Sequence, residues 1–296
     1  MKAYESLFKL YRDQPLESVF AHFYPFKSSP TAAPDYDEPF RAIARVTVDG
    51  YDAWEFQQPR FKAKYTAAVP KLKNYLNYTL MRLLALEQDA PGKHFLLSSD
   101  NQWICFNTGL QNSHAVDLIA IFQKNFPREG DSQERPDWVY KGCFASNEGY
   151  YRQRFGTVVP EIAWYSLDSR DFVFDTSYSL DKDSFDHLFE RAKERSGLSN
   201  ASDEVVRNYL RGAIENIVPK IRRNYKVAIP VYYVEEKRMQ LLLPFASASS
   251  AEEVSCFLVE RNDTTKSYDL KTIFDLDQAY FAARLITRPD KEWLNP

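Results

Sequence analysis

The stretch Tyr209–Phe245, YLRGAIENIVPKIRRNYKVAIPVYYVEEKRMQLLLPF, constrains the fold more than any other part of the chain. Its apolar residues Leu210, Ile214, Ile217 and Ile221 recur at three- and four-residue intervals, the stripe of an amphipathic helix. Lys220, Arg222, Arg223 and Lys226 crowd the end of that helix. Two β-rich runs follow, Val227–Val234 and Met239–Leu243, with Glu235–Arg238 as the turn between them. A buried helix that hands four cations to a hairpin calls for an antiparallel sheet with helices packed on it.

Elsewhere the chain supplies more material of the same kind. Val69, Leu72, Leu76, Leu80 and Leu83 form a second stripe ending near Glu87, with Pro70 tolerable only in the first turn. Phe95–Ser98 and Trp103–Phe106, joined by Ser99-Asp100-Asn101, read as a hairpin, so this helix–hairpin unit is winged-helix-like. Val254–Glu260 and Tyr268–Phe274 read as another hairpin, and Trp138–Phe144 as a strand. Helices are expected at Ser184–Ser196, at Asp203–Asn224 behind a Ser202/Asp203 cap, and from Asp277 to about Ile286.

Weaker patterns give further expectations. Residues 1–27 read as two short amphipathic helices and Ser28–Pro39 as a Pro/Ser-rich linker. Phe40–Val48 reads as a strand, Ala115–Phe126 as a helix, and Glu161–Leu167 with Asp171–Asp175 as short extended runs. The charged, Pro-bounded stretch 127–137 marks the expected boundary between a mainly helical part, 1–127, and a sheet-rich part, 138–296. The fold class is α+β, a largely antiparallel sheet of hairpins with helices packed on one face. No internal repeat is visible.

The length of 296 residues allows one large domain or two. A net charge of −3 means that a polyanionic partner must be held by a local patch and not by the whole-molecule field. The 19 Tyr and 21 Phe fill cores or offer stacking platforms, and 9 Gly leave little material for a glycine-rich phosphate loop. Cys105, Cys143 and Cys256 lie far apart, without zinc-ligand or disulfide spacing, which fits a reduced, cytoplasmic setting. The N-terminus lacks an uninterrupted apolar h-region and no apolar run is long enough to span a bilayer, so no membrane partner is expected. His22, His94, His114 and His187 are scattered, and no metal-ligand cluster, P-loop or nucleophile elbow occurs.

Three constellations carry chemistry. The first is Lys220/Arg222/Arg223/Asn224/Tyr225/Lys226: guanidinium forks recognise phosphate, while the bland alternative is complementing the helix dipole. The second is Asp275–Trp293, in which Asp277 reads as the helix N-cap and Tyr280 and Arg284 share one face. Ala282 and Ala283 permit close packing there, and Arg284 and Arg288 either add to a phosphate-binding surface or pair with Asp275 and Asp290. The third is Phe106-Asn107-Thr108-Gly109-Leu110, where turn chemistry and ligand hydrogen bonding are both open.

NYLNYTLMRL (74–83), CFNTGL (105–110), IRRNYKVAIPVYY (221–233), QLLLPF (240–245) and FDLDQAYFAARLITRPDKEWL (274–294) together resemble a bacterial and fungal family known as domain of unknown function 3825. The resemblance runs from about Lys71 to the C-terminus. It implies a setting in RNA metabolism or RNA-directed regulation, because that domain is found fused to cold-shock, OST-HTH and zinc-finger RNA-binding modules. No catalytic residue carries over.

The leading expectation is RNA or nucleotide binding, with phosphate held by Arg222, Arg223 and Lys226, helped by Arg284 and Arg288. Asn107, Thr108, Asn224 and Gln240 would hydrogen-bond, and Tyr225, Tyr233 or Tyr280 would stack. The alternatives are a phosphoester- or nucleotide-processing enzyme and a scaffold module. The enzyme would use Asp275, Asp277 or Tyr280 as acid/base groups or as ligands for Mg²⁺.

Overall fold

A computed structural model describes residues 2–57, 67–126, 135–180, 186–234, 236–246, 248 and 254–286. The protein is α+β, with six helices and two five-stranded, mostly antiparallel sheets among the described residues. It divides into two compact units, Met1–Trp164 and Tyr165–Pro296.

The first unit holds strands β1 (Ala21–His22), β2 (Phe95–Leu97), β3 (Trp103–Gln111), β4 (Asp117–Lys124) and β5 (Trp138–Ala145) in the order β1-β5-β4-β3-β2. Its helices are α1 (Glu38–Val46), α2 (Pro70–Asp89) and α3 (Gly149–Phe155). One face of the sheet carries Phe95, Phe106 and Phe122, whose rings cluster around Phe20. On the other face Tyr151 of α3 packs with Cys105, Ile119 and Ile121. The stripe expected in α2 is buried at Leu72, Leu76, Leu80 and Leu83. The buried Glu87 carboxylate then accepts the N–H groups of Gly92, His94 (2.9 Å) and Phe95 (3.3 Å), tying the end of α2 to β2.

The second unit holds β6 (Ser179–Leu180), β7 (Ile229–Tyr233), β8 (Arg238–Ala246), β9 (Val254–Asn262) and β10 (Ser267–Asp275) in the order β6-β10-β9-β8-β7. Helix α4 (Phe189–Arg195) buries Phe189 and Ala192, and α5 (Asp203–Arg223) buries Ile214, Ile217 and Ile221, in one core with Leu241, Leu243, Phe257 and Val259. Alternation sends Leu242 and its cross-strand partner Leu258 to the opposite face. There α6 (Leu276–Arg284) packs on β7, β9 and β10, so helices cover both faces and not one.

The two units repeat one plan that the sequence does not reveal. Among the described residues each has a two-residue strand, two α-helices, a four-strand antiparallel meander and a short closing helix, in that order. In each, the first strand pairs in parallel with the last strand of the meander, Ala21 with Trp138 and Ser179 with Ser267.

Several sequence expectations change. Residues 115–126 are strand, not helix: Leu118–Phe122 is a continuous apolar run buried on both faces of a central strand, and such a run does not distinguish the two periods. Residues 40–46 are helix, because Phe40, Ile43 and Ala44 share a helical face and Pro39 sits in the first turn. The N-terminal segment is mainly irregular, with one 3₁₀ turn at Leu16–Ser18 and β1; Tyr4, Phe20 and Phe23 are buried, while Tyr11, Tyr24 and Phe26 are exposed. Residues 161–167 and 171–175 form no strand, and Ser169–Asp171 is a 3₁₀ turn opened by Asp168. In the Ser28–Pro39 stretch, Asp35 bridges back to Phe26, and α1 begins at Glu38. Of the charged stretch 127–137, residues 127–134 lie outside the described residues; the strands that flank it, β4 and β5, pair with each other, and the contact division falls at Trp164/Tyr165. The β2–β3 hairpin is the edge of a five-stranded sheet and not a free wing.

Candidate functional site

The structure sorts the sequence candidates into three places. Asn107 and Thr108 lie in the first unit, on a bulged part of β3 that extends to Gln111. Asn107 is buried; its amide donates to Asp117 Oδ2 (3.0 Å) and the Pro160 carbonyl (3.3 Å) and its oxygen accepts from Gly109 N–H (3.0 Å). Thr108 Oγ1 donates to the Leu118 carbonyl (2.6 Å) and accepts from Leu110 N–H (3.2 Å). Gly109 takes a φ of +71°, and a Cβ there would meet the Tyr75 hydroxyl at 2.8 Å. The motif builds a bulge, and its polar atoms are used in doing so.

The second group lies under α6. Asp275, and not Asp277, is the N-cap: its carboxylate accepts from Gln278 N–H (2.9 Å) and its own N–H donates to Gln278 Oε1 (3.4 Å), a capping box. Asp277, Tyr280 and Arg284 are buried, and Ala282 and Ala283 are the small residues that let α6 sit close. Gln240 is buried as well and donates to Glu236 Oε2 (3.1 Å). The Tyr233 ring lies 6.1 Å from Phe274 on the same face, so it is packing material. Arg288 lies outside the described residues.

The third group is open to solvent. At the end of α5, Lys220, Arg222, Arg223 and Lys226 are all exposed, and Tyr225 among them is 64% exposed. Asn224 caps the 3₁₀ turn Tyr225–Val227 by accepting from Lys226 N–H (3.1 Å), which holds Tyr225 outward. Arg223 Nη1 donates to the Pro219 carbonyl (3.2 Å). None of the four cations forms an ion pair with a described residue, whereas Arg261, on β9, is surrounded by Asp168, Asp171 and Asp263. Arg222 and Arg284 therefore stand on helices that cover opposite faces of the second sheet.

Chemistry that needs a thiolate finds no support. Burial, with Glu148 adding to it, pushes the Cys143 thiol up to about 12. Burial also pushes up Cys105 and Cys256, the latter helped by Asp275. Among the described residues no group of His, Cys, Asp and Glu could hold a metal ion, and no helix is long and apolar enough to cross a membrane.

Sequence reasoning missed one feature. Ala21, His22 and the segment around Phe8, with the first turns of α1 and α2, enclose a cavity of about 740 Å³. Its signal was in plain view at residues 8–12, Phe-Lys-Leu-Tyr-Arg, where aromatic and basic residues interleave.

Fold and site together define an α+β protein of two like-built units, with a basic, aromatic surface at the end of its longest helix. The chain belongs to the family described as domain of unknown function (DUF3825), whose model matches residues 48–293. No match is found among curated proteins or among solved structures.

Proposed function

We propose that the protein binds single-stranded RNA through the patch Lys220, Arg222, Arg223, Tyr225 and Lys226, as part of RNA metabolism or RNA-directed regulation in the cytoplasm. The observation that carries this reading is an exposed tyrosine held among four exposed cations without ion-pair partners among the described residues. Cations that track phosphates, beside an aromatic ring on which a base stacks, are the parts of a sequence-tolerant single-strand site. Dipole complementation alone, worth about 0.3–1 kcal/mol per cation, acts within the last helical turn. It gives no reason for Lys226 beyond the helix, or for an exposed Tyr225. The net charge of −3 limits anion binding to such a local patch.

Binding of labelled single-stranded RNA, followed by anisotropy across a salt series, tests the proposal. Each neutralised phosphate contributes about −0.7 to the slope of log K against log salt, so four contacts give a slope of roughly −3. Arg222→Glu/Arg223→Glu/Lys226→Glu is expected to flatten the slope and weaken binding by more than about tenfold. Tyr225→Ala is expected to cost about 1–3 kcal/mol with the slope unchanged. An unaltered slope in the triple variant would overturn the reading.

A further inference from the structure

The cavity in the first unit has the size of a small-molecule site, about 740 Å³. Phe8, Tyr11, Phe23, Tyr36, Phe40 and Phe56 all line it. Phe23 stacks on Phe40 at 4.9 Å and on Tyr140 at 4.4 Å, so its ring faces are already filled and the rings left for a ligand are those of Tyr11, Tyr36 and Phe56. Tyr36 and Tyr11 are exposed at the mouth, at 62% and 52%.

The polar groups are equally one-sided. Lys9 and Arg12 are exposed, line the cavity and form no ion pair with a described residue. Asp37 is the only carboxylate among the described lining residues, and it is neutralised in place: Lys73 pairs with it and Ala68 N–H donates to it at 2.9 Å. Asn74 and His22 add hydrogen-bonding edges, and burial holds the His22 pKa below its usual value, so the neutral ring is the form presented. The net result is an aromatic slot with uncompensated positive charge at its rim. A purely apolar ligand would leave those cations unused. A long acyl chain with a carboxylate would use the cations but not the planar walls.

We infer that this cavity is a binding site for a nucleoside phosphate, with the base between the aromatic walls and the phosphate at Lys9 and Arg12. Base–aromatic stacking contributes about 1–3 kcal/mol and tolerates any base. Asn74 and His22 offer the hydrogen bonds that would select among bases. The site shares no residue with the patch at the end of α5, so it stands or falls independently of RNA binding there.

Calorimetric titration of the full chain with AMP, GMP, CMP and UMP tests the inference, with adenosine and palmitate as the comparison ligands. At least one nucleotide is expected to saturate a single site. Its parent nucleoside should bind about tenfold or more weakly, the loss of one phosphate interaction of roughly 1.4 kcal/mol. Lys9→Glu/Arg12→Glu should weaken the nucleotide by at least that factor, and Tyr36→Ala, a change at an exposed side chain that leaves the fold intact, should weaken nucleotide and nucleoside alike. Arg222→Glu/Arg223→Glu should leave the titration unchanged. The inference is overturned if no nucleotide saturates a site, if palmitate displaces the nucleotide at equal concentration, if the Lys9/Arg12 variant binds as the parent does, or if the α5 variant abolishes binding.

Discussion

At the scale of single residues, Glu87 shows how one side chain joins two elements. A buried carboxylate that accepts three backbone N–H groups satisfies donors that neither α2 nor β2 can satisfy itself. Removing it orphans the buried His94 and Phe95 N–H groups, so Glu87→Ala is expected to lower unfolding free energy by about 2–4 kcal/mol in urea titrations. Glu87→Gln keeps an acceptor and should cost about half as much. Equal losses for the two variants would mean that the carboxylate matters for packing alone. The same scale explains what the sequence hid about the candidate site. Asn107, Thr108, Asp275 and Arg284 are residue types that ligand sites use, but the same atoms cap helices and shape bulges. Only burial and partners separate the two roles. Lys220–Lys226 was legible because crowding of like charge shows in one dimension.

At the scale of elements, legibility followed how unambiguous the period was. The stripes of α2 and α5 and all three hairpins were readable, since alternation and turn residues agree with the packing they enter. β4 was not, because a strand buried on both faces has no polar face to announce it. The N-cap of α6 was misplaced by two residues, since Asp275 and Asp277 both precede an apolar run and only Gln278, three residues after Asp275, completes the box. Asp275→Ala is expected to destabilise the protein by about 1–2 kcal/mol in thermal or urea unfolding. Asp275→Asn, which keeps the acceptor for Gln278 N–H, should recover most of that loss. A neutral Asp275→Ala would show that α6 is held by its packing and not by its cap.

At the scale of the whole molecule, each unit owns a core. In the second, α5 buries Leu210, Ile214, Ile217 and Ile221 on its own sheet, and the contact division falls at Trp164/Tyr165. A fragment spanning 165–296 is therefore expected to unfold in one cooperative urea transition monitored by circular dichroism. A broad, non-cooperative loss of signal would show that the division by contacts is not a division by stability. The shared plan of the two units could not be read beforehand because it lies in connectivity: the order of strands and the parallel pairing of the first with the last leave no mark on residue identity.

That parallel pairing also differs from the meanders in entropic cost. Each meander is built from neighbouring strands, whose short loops close at small entropic cost and form quickly. Ala21 must instead find Trp138, and Ser179 must find Ser267, across everything between them. The two-residue strands thus act as clasps, whose pairing closes the largest loop of each unit. In the first unit Ala21 and His22 belong both to the clasp and to the cavity wall, so whatever fills the cavity also weights the latch.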